Sequence, residues 1–325
     1  MTTTGARLTA LLALAGLLSG LGLATPAPGQ GEASGMITEI KVGRGRVEVR
    51  PAGSQEWRRA GALLALRAGD TVRATDDASA VILLSGGRGS TRVTQASSPY
   101  VVPGPQAGAG KAQKALALLE SSLGFLSATA KEAPRATLST RGGTRPPVIL
   151  TPRNVPVLPD ALAFEWLGSR SARYSVRMVG PTGPVLERTV TGARLDFPPD
   201  APSLRPGVRY TIEVVSGNHP IQQAWFEVVE PARAQAIRQD LKELEQAVGP
   251  TASPNTLIAL RAGFLASQGL LHDARQALVG GLTKDPDEPT FHFLLGKLYE
   301  KAGLAEQAAE ALDEARFLMS GAAAR

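Results

Sequence analysis

The chain of 325 residues contains no cysteine. That excludes disulfides, thiolate metal sites, a thiol nucleophile and a lipid-bearing N-terminal cysteine, so each domain must hold by packing alone. Aromatic residues are scarce, at 5%, whereas 35 glycines and 24 prolines punctuate the chain. This balance favours several small, turn-rich modules over one large enzyme core. At roughly 100–200 residues per domain, the length admits two or three of them. Histidine is almost missing too: His219, His272 and His292 lack the spacing of a metal-binding motif and read as ordinary surface or groove side chains.

Long apolar runs are confined to one place, residues 8–23, LTALLALAGLLSGLGL. The run is short of the roughly 20 residues a membrane span needs. Arg7 precedes it, and Gly22-Leu23-Ala24 offers the small residues a signal peptidase reads. Residues 1–24 are therefore expected to be a signal peptide and the mature protein to be periplasmic or at the cell surface. No membrane span is expected after cleavage. The alternative is an uncleaved N-terminal anchor in the inner membrane. Net charge is +6, carried by the first two thirds: residues 36–95 hold ten Lys and Arg against six Asp and Glu, whereas residues 232–325 hold ten against twelve. The basic residues are interleaved with acids and not clustered with aromatics, which argues against a nucleic-acid partner.

Residues 25–35 are expected to be a flexible terminus. Period-two alternation then begins: Met36 to Val42, Arg46 to Arg50, Thr71 to Thr75 and Ala80 to Leu84 read as strands, separated by Gly43-Arg44-Gly45, Gly69-Asp70 and Ser85-Gly86-Gly87. This describes a small all-β module over 36–95. The string Ala65-Leu66-Arg67-Ala68-Gly69-Asp70-Thr71-Val72-Arg73-Ala74-Thr75, with its following strand and glycine turn, resembles the FecR domain, a periplasmic module. The Gly-Asp pair has a structural reading, a positive-φ glycine and a turn-capping carboxylate. Residues 96–149 read as a connector with one helix, Lys111 to Thr129, whose leucines fall mostly on one face. Prolines from Pro146 to Pro159 make a stiff entry to the next domain.

Residues 150–230 again alternate, with strands at Ala163–Trp166, Tyr174–Met178, Thr211–Val215 and Ala224–Val228. Leu204-x-Pro-Gly-x-x-Tyr210 resembles the tyrosine corner of immunoglobulin and fibronectin type III sandwiches, with Trp166 as the early core tryptophan. Residues 231–320 read as helical. Units 255–288 and 289–322 resemble tetratricopeptide repeats: Ala262, Ala274, Leu278 and Pro286 in the first, and Leu295, Gly296, Tyr299, Ala308, Leu312 and Ala315 in the second, take the pattern positions. Gly281 departs from the pattern, standing where alanine is usual. Two units fall short of the three usually needed, so the 232–248 helix or a partner is expected to complete the stack. The expected class is thus multi-domain β plus α: a FecR-like all-β module, an immunoglobulin/fibronectin III-like sandwich and all-α TPR-like hairpins.

No catalytic residue, cofactor site or metal site is expected. Ser85 and Ser90 lack a strand–elbow–helix setting, Gly86-Gly87-Arg88-Gly89-Ser90 reads as a hairpin turn, and Asp76-Asp77 as a solvated turn. The tetratricopeptide resemblance implies a protein-binding groove lined by the first helix of each hairpin: Phe293, Lys297, Glu300 and Lys301, with Ala259, Gly263 and Ser267 opposite. The resulting expectation is a non-catalytic exported scaffold or adaptor binding an envelope or periplasmic protein. The competing readings are a FecR-like signalling regulator and an accessory that binds cell-wall glycan or another polysaccharide.

Overall fold

A computed structural model describes residues 33–104, 118, 121–122, 124–125 and 146–321, apart from Gly87, Ala161, Asn218 and residues 249–251. The expected signal peptide and most of the expected 111–129 helix lie outside the described residues. From Ala33 the chain forms one compact unit. It is mixed β plus α, with sixteen strands in four sheets and then five helices among the described residues. No helix among them is long and apolar enough to cross a membrane.

Eight strands make the first module: β1 (Gly35–Lys41), β2 (Val47–Arg50), β3 (Arg58–Arg59), β4 (Ala65–Leu66), β5 (Thr71–Ala74), β6 (Ser79–Leu84), β7 (Ser90–Thr94) and β8 (Tyr100–Val101). They form two antiparallel sheets, ordered β4-β1-β6-β7 and β3-β2-β5-β8, over a shared core that includes Ile37, Ile40, Val49, Leu66, Val72 and Ile82. Gly69 adopts φ +84°, and the buried Asp70 carboxylate accepts the backbone N–H groups of Ala52 and Arg67 at 2.9 and 2.8 Å. The Gly-Asp pair thus ties two loops together. β8 pairs with β5, and Val102 is buried behind it, so pairing runs beyond residue 95, where the alternating pattern ends. Two-residue strands such as β3, β4 and β8 are too short to carry a readable period.

The second module contains β9 (Val148–Thr151), β10 (Val155–Val157), β11 (Ala163–Leu167), β12 (Arg173–Gly180), β13 (Gly183–Thr191), β14 (Arg194–Asp196), β15 (Arg209–Val215) and β16 (Gln222–Val228). Sheets β14-β11-β9 and β10-β16-β15-β12-β13 enclose one core around Phe164, Trp166, Val176, Met178, Ile212 and Phe226. The proline-rich entry is itself two strands. β10 pairs parallel to β16 at the sheet edge, a place where Pro156 is tolerated. The Arg205 backbone N–H donates to the buried Tyr210 hydroxyl at 2.8 Å, closing the loop ahead of β15.

The helices are α1 (Pro231–Val248), α2 (Pro254–Ser267), α3 (Leu271–Leu282), α4 (Pro289–Lys301) and α5 (Ala305–Ser320). Two hairpins, α2–α3 and α4–α5, repeat one design. Each opens with proline in its first turn behind a side-chain cap, Ser253 or Glu288, and each turns on a left-handed glycine, Gly269 (φ +80°) or Gly303 (φ +72°). Ala274 and Ala308, and Leu278 and Leu312, are buried at equivalent places. α1 buries Ala234, Ile237, Leu241 and Leu244 against the same helical core.

Candidate functional site

The seven groove residues lie on two stripes. Phe293, Lys297, Glu300 and Lys301 follow α4, and Ala259, Gly263 and Ser267 follow α2 at one-turn spacing. Ala259, Gly263 and Lys297 are buried, Phe293 and Glu300 are half-buried, and Ser267 and Lys301 are exposed. The Lys297 ammonium, in a side chain only 4% exposed, donates to Glu300 Oε2 at 2.8 Å and lies 5.9 Å from the Phe293 ring centre. Glu300 Oε1 is buried with no hydrogen-bond partner among the described residues. Leaving a buried acceptor unpaired costs about 1–3 kcal/mol.

The two stripes are bridged by the chain itself. Phe125 from the connector stacks under Lys301, whose Nζ lies 4.2 Å from the ring centre, and Ser121 Oγ reaches Ser267 Oγ at 3.5 Å. Phe125 belongs to the helical core, and Leu118 packs against it. Partial desolvation beside the Phe125 ring lowers the pKa of the Lys301 ammonium, although the residue as a whole is exposed. The apolar face expected for the connector helix was a usable signal, but nothing in the sequence indicated that the hairpins would receive it.

Two further seams clamp the hairpins between the β modules. Against the first module, β1 is buried on both faces, and a register shift between Ile37 and Glu39 lets the consecutive residues Thr38 and Glu39 both turn to the helices. Glu39 Oε1 accepts the Thr256 N–H at 3.0 Å and the Thr256 hydroxyl at 2.6 Å, and also bonds Ser253. At the rim, Lys41 Nζ meets Asp285 at 2.6 Å, and Asn255 donates to Asp285 and Glu288. Burial lifts Asp285, but the bonds from Lys41 and Asn255 outweigh it and hold the carboxyl below the usual range. Glu288, fully buried as the cap of α4, is pushed up to about 7 by burial, with nearby Glu39 adding to the shift.

Against the second module, Arg275 meets Glu165 Oε2 at 2.8 Å and donates from Nε to the Tyr299 hydroxyl at 3.1 Å. Arg194 approaches the other oxygen of Glu165 at 2.7 Å. Buried His272 bonds the Thr151 hydroxyl through Nδ1 at 2.8 Å, and burial, reinforced by Arg275, lowers its pKa to about 4. Burial raises neighbouring Asp273, which accepts the Leu158 N–H, to about 7. Of the other histidines, His292 Nε2 bonds the Pro286 carbonyl oxygen at 2.8 Å, and His219 lines a cavity of about 860 Å³ between the sandwich and α5. Among the described residues, no three His, Asp or Glu side chains cluster in a way that could hold a metal ion.

No protein-family model matches this chain, and no curated protein matches it significantly.

Proposed function

We propose that the protein is an exported, non-catalytic adaptor that docks a periplasmic or envelope protein through its TPR-like hairpins. In this reading, β1–β8 are a FecR-like module and β9–β16 a fibronectin III-like spacer that present the hairpins. The observation that carries it is the groove stripe on α4. Phe293 and Lys301 combine a half-buried ring and an exposed cation, and the stripe already receives an aromatic side chain, Phe125. An apolar anchor ringed by a few polar contacts is the chemistry of peptide docking in helical grooves. The repeated hairpin design and the bond from Arg205 to Tyr210 support the module assignments.

A photo-crosslinking residue placed at Phe293 or Lys301 of the full chain, in the native envelope, is expected to capture a protein that the same residue at Arg188 on β13 does not. Lys301→Glu should then weaken binding of that purified protein by about tenfold, near 1.4 kcal/mol. Equal capture from both positions, or unchanged affinity in the Lys301→Glu variant, counts against the reading.

A further inference from the structure

The outer face of sheet β3-β2-β5-β8 carries an arrangement that the docking reading does not use. Val47, Val49, Val72 and Ala74 point into the core, so the alternate positions of β2 and β5 point out. Register sets Glu48 opposite both Arg73 and Arg59, and Arg50 opposite Thr71. The half-buried Trp57 ring lies against two of these arginines: Arg73 Cζ is 4.0 Å from the ring centre and Arg50 Cζ is 5.0 Å away.

Four arginines, Arg46, Arg50, Arg59 and Arg73, therefore share the face with Glu48, and Asp76 lines the adjoining cavity. Glu48 is half consumed at each end, by Arg73 at 2.7 Å and Arg46 at 3.3 Å. Arg59 donates to the Ser320 carbonyl oxygen at 3.2 Å. Arg50 has no carboxylate or carbonyl partner among the described residues. Beyond Arg46 the face opens into a cavity of about 610 Å³, lined by Arg44, Arg46, Arg59, Thr75, Asp76 and Ser320 among others. The nearby Asp77 is taken up by the backbone N–H groups of Arg44 and Gly45.

Stacking on an indole holds a guanidinium still while leaving its in-plane N–H edge unused. That edge fits a carboxylate in two parallel bonds. Arg46 and Arg50 are four strand positions apart, roughly 13 Å, so the face suits a chain of repeated anions better than a single small one. Two guanidinium groups already lie over the Trp57 ring and compete for the aromatic surface that single-stranded nucleic acid stacks on. The one large apolar side chain exposed on this sheet is Val101, too little for bilayer insertion.

We infer that this face is a binding site for a linear acidic polysaccharide, read by arginines that Trp57 holds in place. Polygalacturonate is the probe, tested on the full chain at low salt beside neutral dextran, a single-stranded oligonucleotide and anionic phospholipid vesicles. The expected result is binding to polygalacturonate that weakens as salt screens it, with none to dextran and weaker binding to the other two. The double variant Arg46→Gln/Arg50→Gln should lose about tenfold in affinity with its thermal unfolding unchanged. Arg188→Gln on the sandwich should bind as wild type. Arg50→Lys, which keeps the charge without the stacked fork, should fall between. No binding to polygalacturonate, equal or tighter binding to the oligonucleotide or vesicles, or an unaffected double variant would overturn the inference.

Discussion

At the residue scale, Gly281 shows how a departure from a repeat pattern can be a packing requirement. The equivalent position in the second hairpin holds buried Ala315. At Gly281, a Cβ would lie 2.7 Å from Phe291 Cε2, with the fully buried ring in its way. Alanine is the better helix former by about 1 kcal/mol, but overpacking a close-packed core costs about 1–3 kcal/mol. Gly281→Ala is therefore expected to lower stability by about 1 kcal/mol in urea unfolding. Pairing it with Phe291→Leu should restore part of the loss, and a more stable single variant would show that the ring can move aside. Gly296 obeys the pattern for a similar reason, since a Cβ there would meet Leu312 at 2.6 Å.

At the scale of elements, periodicity separated what was legible from what was not. The long strands β6, β12, β15 and β16 and both hairpins were readable because alternation and the repeat spacing are local. The seams were not, because Glu39 and Thr256 are 217 positions apart and no short window records their meeting. Glu39 sits in an alternating strand and looks like an outward, solvated position; it is buried only because α2 covers that face. Likewise Trp57 gave no sign of its arginines, which come from β2 and β5.

The start of α4 carries a pH dependence that follows from the same burial. Glu288 titrates near 7 when folded and at an ordinary carboxylate value when unfolded. The folded state therefore binds the extra proton between those values, and stability falls as pH rises through that window. Glu39, Lys41, Asp285 and Asn255 face Glu288. Asp273 pulls in the same direction, while His272, lowered to about 4, opposes both by favouring the folded state as pH rises from 4 to 6.5. Glu288→Gln keeps an acceptor for the Thr290 N–H but cannot ionise. Chemical unfolding at pH 5 and pH 8 should show a smaller loss of stability with rising pH in Glu288→Gln than in wild type. An identical difference in the two proteins would mean that Glu288 is ionised at both pH values.

At the scale of the whole molecule, the helices are the keystone between two β modules, and the two seams differ in kind. The Arg275–Glu165 seam is a charge pair extended by Tyr299 and Arg194, whereas the Glu39 seam is one carboxylate satisfied mainly by hydroxyl and backbone donors, with Arg92 no nearer than 4.0 Å. Removing that carboxylate takes one acceptor from the Thr256 N–H, which Ser253 Oγ still accepts at 3.1 Å, and one from the Thr256 hydroxyl, which keeps the Thr38 hydroxyl at 2.9 Å, and it leaves the Ser253 hydroxyl without its Glu39 acceptor, at a cost of about 1–3 kcal/mol for any group fully orphaned. The cost falls on the junction and leaves the core of either β module untouched. In Glu39→Ala, amide hydrogen exchange is therefore expected to show β2, β5 and β6 opening ahead of the rest, while β12, β15 and β16 keep wild-type protection because the Arg275 seam still holds them to α3. If both β modules lost protection together and equally, the hairpins and their neighbours would be one cooperative body, and the Glu39 seam would be an ordinary part of its core. Partial, one-sided opening would instead identify β1 on α2 and α4 as the joint at which the N-terminal module can be released without unfolding the groove.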